Sequence, residues 1–258
     1  RATRHCYAGC GAGVAATTAY RDILETGGST AFLGYSDVTS EASVIGIVKD
    51  GSPVPAARVG DQVEVVLDRT PFYAEAGGQL GDHGRLSSAG GAVVDVYDVQ
   101  SPVPGLFVHR GEVVDGELVT GDEVLAHVDV ARRKAISRAH TATHMIHKAF
   151  RERLGETATQ MGSENAPGRL RFDFPNPTAV PASVLSEVEE RVNEVLVDDL
   201  AVTAQTMTQD EARAAGAMAL FGEKYGDQVR VVSVGDWTRE LCGGTHAETS
   251  GQLGVVTF

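Results

Sequence analysis

The pattern of apolar and polar positions changes character about halfway along the chain. Between residue 30 and about residue 130, short runs rich in β-branched residues recur at 44–48, 62–67, 92–99, 106–108 and 123–130. Asp50-Gly51, Gly81-Asp82, Gly90-Gly91 and Asp115-Gly116 punctuate them as turns. Short strands at this spacing predict a small barrel or curled sheet. From Ala131 the period lengthens. Ile136, Ala139, Thr143, Ile146, Ala149, Phe150 and Leu154 form a helical stripe that Gly155 ends, and His140, His144 and His147 flank it. Residues 157–162 and 169–174 read as a hairpin around a loop at 164–168. Residues 183–200 read as a second amphipathic helix capped by Ser183. A strand at 202–207, a short helix at 209–215 capped by Thr208, a strand at 228–234 and a segment at 237–241 follow.

The fold class this implies is α+β. A barrel or curled-sheet subdomain over 30–130 precedes an α+β core over 131–258, with helices packed on a mainly antiparallel sheet. Residues 1–29 are a lead-in whose predicted element is a helical turn near 19–25, ended by Gly27-Gly28. The final residues, 255–258, read as a strand that stops short. The chain is therefore expected to be a piece of a longer protein, truncated at its C-terminus.

Composition narrows the class. With 258 residues, 42% hydrophobic and 22% charged, the chain has the make-up of an ordinary globular protein able to bury a sizeable core. No apolar run approaches the roughly 18 residues that cross a membrane as a helix, and no signal-peptide pattern is present. The net charge of −13 argues against general nucleic-acid binding. Its distribution reverses that locally: residues 131–153 carry Arg132, Arg133, Lys134, Arg138, Lys148, Arg151 and Arg153 against Glu152 alone. That stretch is either a solvated basic face or an edge that meets phosphates. Three cysteines make no disulfide framework, which points to a reducing compartment, the cytoplasm, where a thiolate ligand stays free.

Two motifs carry candidate chemistry. His140-Thr-Ala-Thr-His144 and Cys242-Gly-Gly-Thr-His246 each hold a pair of metal-competent side chains at i, i+4. On a helix that spacing places two imidazoles on one face. Together they supply two, three or four ligands for one tetrahedral zinc ion. His147 falls on the same helical face, as a further ligand or a ring stacked beneath the site. His5, Cys6 and Cys10 lack partner ligands nearby. No Glu follows His140, so the first motif is not His-Glu-x-x-His and peptidase chemistry is disfavoured. Gly77-Gly78-Gln79 permits a sharp turn whose free amides suit either a phosphate and ribose or a plain hairpin. Arg169 and Arg171 alternate with apolar residues, so they share one strand face.

The two ligand motifs, their order and their separation resemble the editing domain of the alanyl-tRNA synthetases. Free-standing alanyl-tRNA editing proteins and the threonyl-tRNA synthetase editing domain are similar. The segment from Leu67 to Gln79 with Gly81-Asp82, the segment from Arg169 to Phe174, Leu220-Phe-Gly-Glu-Lys-Tyr225 and Arg239-Glu-Leu-Cys242 also resemble that family, and together the motifs span about residues 30–258. The lead-in favours a full synthetase over a free-standing editor, although residues 1–19 depart from the charged helix the family would place there.

The resemblance implies a β-barrel subdomain before a zinc-binding editing core. It implies hydrolysis of the aminoacyl ester of alanine tRNA wrongly carrying serine or glycine. His140, His144, Cys242 and His246 would hold Zn2+. Thr143 would shape the amino-acid pocket, and Gln160, whose amide both donates and accepts, would act on the substrate. Gly77, Gly78, Gln79, Arg169 and Arg171 would meet the tRNA acceptor end. The implied partners are that tRNA and the remainder of a synthetase chain, with no membrane. The alternatives are a free-standing trans-editing deacylase and a zinc-stabilised tRNA-binding module without catalysis.

Overall fold

A computed structural model describes residues 14–218 and 226–258. His5, Cys6, Cys10 and the Leu220–Tyr225 motif lie outside the described residues. The chain divides into two compact units, the first ending at Asp129 and the second beginning at Val130. Residues 76–80 belong with the second unit, although they lie in the sequence of the first.

The first unit is built on six antiparallel strands: β1 (Thr39–Lys49), β2 (Gln62–Leu67), β3 (Gly84–Ser88), β4 (Val93–Val103), β5 (Leu106–Asp115) and β6 (Glu123–Val128). Their order is β6-β3-β4-β5-β2-β1, and β1 pairs back onto β6 from Thr39 opposite His127 to Ser43 opposite Glu123. The sheet is thus a closed barrel, one of the two forms the strand spacing allows and the one the resemblance implies. Inward residues fill it: Val44, Val65, Leu67, Leu86, Val94, Val113, Val124 and Ala126 are all buried. Helix α1 (Val14–Gly27) packs Ala19, Tyr20 and Ile23 against Val48, Val66, Val103 and Leu106. Gly46 permits this approach, because a Cβ there would meet Ile23 Cδ1 at 2.6 Å.

Strand β3 is the element that periodicity misses. Its sequence, Gly-Arg-Leu-Ser-Ser, offers only Leu86 as a buried apolar residue. Neighbours on both sides impose the strand: Leu86 sits opposite Val94 of β4 and Ala126 of β6. Gly81-Asp82 is not a hairpin turn. The Asp82 carboxylate is buried and accepts a bond from the Tyr73 backbone N–H at 2.7 Å.

The second unit opens with helix α2 (Val130–Leu154), then the hairpin β7 (Gly162–Ala166) and β8 (Arg169–Asp173), helix α3 (Ala182–Val197), strand β9 (Val202–Thr208), helix α4 (Gln209–Ala214), and strands β10 (Gln228–Val234) and β11 (Thr238–Leu241). Met145, Ile146, Ala149 and Phe150 of α2 share a core with Val188, Val192, Val195 and Leu196 of α3 and with Val234. β9, β10 and β11 form a separate antiparallel sheet with β10 at its centre. Two sheets rather than one therefore serve the α+β core.

Four local expectations are corrected. The first hairpin strand runs over Gly162–Ala166 rather than 157–162, because Pro167-Gly168 makes a two-residue turn with Gly168 at φ 69°. Ser183 does not cap α3; Pro181 occupies that position without a side-chain cap bond. Residues 255–258 adopt no strand. The three histidines of α2 do not form an edge beside its buried face, since every residue from Ala139 to His147 is buried. The cap on α4 is as expected: the Thr208 hydroxyl accepts from Glu211 N–H at 3.2 Å while the Glu211 carboxylate accepts from Thr208 N–H at 2.8 Å.

Inside the barrel lies a titratable ring with a determined tautomer. His109 Nδ1 faces the Val65 carbonyl at 2.9 Å, and a carbonyl only accepts, so Nδ1 carries the proton. Nε2 then accepts from the Thr70 hydroxyl at 2.7 Å, whose oxygen accepts the Phe72 N–H at 3.1 Å. Burial pushes the His109 pKa from 6.5 down to about 4. The unfolded ring takes its proton near 6.5 and the folded ring near 4, so this contribution is complete above about pH 6.5 and is lost as pH falls. We expect the ring to account for about 3 kcal/mol of lost stability between pH 7 and pH 4. The test is urea unfolding at both pH values: His109→Gln should flatten the pH slope by about that amount, and an unchanged slope would contradict the assignment.

Candidate metal centre

The second unit brings both ligand motifs together. α2 presents His140 and His144 one turn apart. β11 ends at Leu241, and the Cys242-Gly-Gly turn folds back so that His246 faces the same point. The ligand atoms of His140, His144, Cys242 and His246 all lie within 4.8 Å of one another. Cys242 Sγ is 3.4 Å from His140 Nε2 and 3.3 Å from His246 Nε2. A tetrahedral ion bound through nitrogen and sulfur at about 2.0–2.3 Å separates its ligand atoms by about 3.3–3.6 Å.

The outer nitrogens explain why the inner ones are free to bind a cation. His140 Nδ1 lies 2.8 Å from Gln79 Oε1. That oxygen also accepts the Thr245 backbone N–H at 2.8 Å, while Gln79 Nε2 donates to the Thr245 hydroxyl at 2.8 Å. The amide orientation is thereby set, and His140 Nδ1 must donate. His144 Nδ1 is 2.5 Å from Glu240 Oε2, again an acceptor. His246 Nδ1 meets the Thr141 hydroxyl at 3.1 Å, whose oxygen accepts the Ala247 N–H at 3.0 Å. With the Nδ1 protons so placed, Nε2 of His140 and of His144 each direct a lone pair inward. His144 Nε2 is buried and has no hydrogen-bond partner. Cys242 Sγ accepts the Gly244 N–H at 3.4 Å, and the ring lone pairs gathered around it make an arrangement that a cation satisfies.

The electrostatics agree. Burial opposes a Cys242 thiolate, but the His140, His246 and His144 rings outweigh it and hold the thiol well below its usual range. Burial likewise opposes a charged Glu240, yet His144 and His147 outweigh it and bring the carboxyl down to about 2. Burial works against charge on His144 as well, yet Glu240 and Cys242 outweigh it and lift the pKa to about 10, so without a cation this ring holds at Nε2 a proton that a bound ion would displace. His246 is kept neutral, pushed down to about 3 chiefly by burial. Two buried anions therefore draw positive charge into the cluster.

The other candidate residues fall into three groups. Gln79 is fully buried and holds His140. Thr143 is buried beside the cluster, where its hydroxyl donates to Asn165 Oδ1 at 2.6 Å and lies 3.1 Å from the Ala139 carbonyl. Gly77 and Gly78 adopt φ 57° and 79°, and a Cβ at Gly78 would overlap Ser163. The Gly78 carbonyl accepts from Asn165 N–H at 2.7 Å, which ties residues 76–80 to the β7 hairpin strand. Gln160 is half-buried, ahead of β7, and its amide donates to the Ser163 hydroxyl at 3.0 Å. Arg169 and Arg171 share the exposed face of β8 and pair with Glu164 and Asp173 respectively, at 2.7 and 3.1 Å.

Sequence reasoning passed over Glu240, Asn165, Thr141, Thr245 and Ser137. Glu240 and Thr245 lie one or two residues from a motif position, Thr141 and Ser137 lie on α2, and Asn165 lies on the β7 strand; none carries a spacing signature of its own. His147 is not among the converging ligands. Its Nδ1 lies 2.9 Å from Glu240 Oε1, off the line a hydrogen bond requires, and its ring packs 5.3 Å from that of Phe172.

Comparison with known proteins adds the following. Residues 9–132 match the model of class II (A) tRNA synthetases, and residues 229–258 match the threonyl and alanyl tRNA synthetase second additional domain. The alanine–tRNA ligase of Acidothermus cellulolyticus is 65% identical over 245 residues, 95% of this chain and 28% of that protein. Those of a Nocardioides species and of Thermobifida fusca are 63% and 56% identical, over 93% and 95% of this chain and 27% of each relative. The chain thus spans about a quarter of the length of the curated relatives it matches.

Close packing at Gly244 supplies a test of this geometry. A Cβ there would overlap the His140 ring and approach Gln79 Oε1 at 2.7 Å, both of them buried. Gly244→Ala should destabilise the second unit by about 1–3 kcal/mol. A urea midpoint unchanged from the parent chain would contradict the packing described.

Proposed function

Since the chain is a relative of the alanine–tRNA ligases over nearly all of its length, we propose that its second unit is an editing site that hydrolyses the ester of alanine tRNA mischarged with serine or glycine. The observation that carries this reading is the convergence of three imidazoles and one thiolate, each with its outer atoms tied down. In this reading His140, His144, Cys242 and His246 hold zinc, for which a nitrogen-rich set with one thiolate is a common donor set. When bound, zinc supplies Lewis acidity and a rigid charge.

The remaining roles belong to the chain's own side chains. Thr143 has one hydroxyl proton and already directs it to neighbouring oxygens, so it offers an amino-acid substrate only lone pairs, suited to an amine or a serine hydroxyl. Gln160 presents an amide oxygen while its nitrogen is engaged with Ser163. Preference for serine over alanine follows if the site is built around a hydroxyl, because the analogue lacking one leaves polar groups unpaired; glycine, which has no hydroxyl, would be admitted over alanine by tight walls near Thr143 that exclude the methyl. Gly77, Gly78 and Gln79 act by holding the site's shape. Arg169 and Arg171 offer exposed charge to the acceptor end once their carboxylate partners yield to phosphates. The remainder of a synthetase chain would deliver the tRNA, in the cytoplasm.

The four-membered donor set also favours a second reading. Four protein ligands close a tetrahedral site, which is the pattern of structural zinc. The unit would then bind the tRNA end without hydrolysing it. Deacylation assays separate the two. We expect one zinc per chain by elemental analysis, rapid loss of serine from alanine tRNA and sparing of alanine. Cys242→Ala should slow the reaction by at least the roughly 10–100-fold typical of losing even an outer-shell metal partner. Gln160→His should lower serine release without changing the fold. Zinc-loaded protein that binds tRNA but leaves both esters intact would establish the second reading.

A further inference from the structure

Among the outer partners of the three clustered histidines, one differs in kind. His140 leans on an amide and His246 on a hydroxyl, both neutral. His144 leans on the carboxylate of Glu240, which is 1% exposed. Among the described residues, the basic groups that meet that carboxylate are the Nδ1 atoms of His144 and His147, at 2.5 and 2.9 Å, and no Lys or Arg joins them. A carboxylate buried this completely, with no fixed cation at hand, is costly on its own account.

We propose that Glu240 is the counter-ion of the metal centre: a positioning residue that orients His144 and cancels the last unit of charge on a buried dication. The proposal rests on the metal-binding reading above. The charges balance in three groups. A dication brings two positive charges, the Cys242 thiolate removes one, and the Glu240 carboxylate removes the other. Neutral imidazoles add nothing. Without Glu240 the assembly would keep a net positive charge beside the buried rings of His140 and His144, where charge is expensive. The carboxylate also polarises the Nδ1–H of His144 and makes Nε2 the most basic of the three imidazole donors, as carboxylate–histidine pairs do at metal sites.

His147 has its own place in this arrangement. Its ring lies beside the second oxygen of Glu240 and against Phe172, one turn beyond His144 on α2. It fills the far side of the carboxylate with a group that can donate a proton without bringing a permanent charge. A lysine there would cancel Glu240 and take away its function toward the ion. His147 thus shields Glu240 while leaving its charge directed at His144.

The test uses the whole chain, cobalt(II) as a spectroscopic probe and zinc competition against a chelator of known affinity. Glu240→Gln keeps the shape and one acceptor oxygen but loses the charge. We expect it to stay folded by circular dichroism, to bind both ions 10–100-fold more weakly, and to shift the thiolate-to-cobalt charge-transfer band. Glu240→Asp, which restores the charge on a shorter arm, should recover part of that affinity. A merely structural Glu240 would change the unfolding midpoint and leave the affinity and the band alone. Folded Glu240→Gln with affinity within twofold of the parent would overturn the proposal while leaving the metal reading intact. A parent chain that takes up neither ion would overturn both. If Glu240→Gln does not fold, His147→Phe serves instead: it keeps the ring and the charge on Glu240, and an affinity change of more than tenfold there would count against the shielding role.

Discussion

The candidate site of the second unit depends on gathering four ligand atoms at one point with lone pairs facing inward. Four ligand atoms from two distant segments gather within 4.8 Å of one another, and the inward ring nitrogens face the Cys242 sulfur as acceptor against acceptor. Such an arrangement is unfavourable unless positive charge lies at its centre. The surrounding structure is arranged to enforce it. Gln79, Glu240 and Thr141 hold the outer nitrogens, so the rings cannot turn away. Arg230 donates at 2.9 Å to the carbonyls of Cys242 and Gly244, which fixes the turn that carries the sulfur.

Residues 76–80 show how a local sequence feature acquires a distant use. Their glycines adopt left-handed backbone, which lets Gln79 run beside Asn165 in a parallel bridge and send its side chain into the cluster. A glycine-rich turn offers two readings in the sequence, a phosphate-binding nest or a hairpin. The structure gives it a third employment, as a strap whose one long side chain reaches a histidine 61 positions along. No periodicity announces this, because the partners are set by tertiary contact alone.

The legible features were those with a strong local cause. Turn glycines, β-branched runs and the Thr208–Glu211 capping box mark their elements without help from the rest of the fold. The metal-competent pairs were legible as spacing. What escaped were elements that neighbours impose, such as Gly84–Ser88, and side chains whose meaning comes from the partner they face, such as Glu240 and Asn165. The hairpin register was misjudged because Pro167-Gly168 turns the chain in two residues where a longer loop was expected. The burial of α2 on every side from Ala139 to His147 was hidden by its composition, since its seven Arg and Lys residues read as an outer face.

The span between the two ligand motifs has a consequence for synthesis. His140 and Cys242 are separated by 102 positions. At about 5–20 residues per second, a ribosome adds that length in roughly 5–20 s. For that interval the newly made α2 carries a row of imidazoles with neither sulfur nor third nitrogen to complete the set. The donor set is therefore complete only once Cys242 and His246 have emerged, and any ion that needs all four groups could be taken up only after this region is translated.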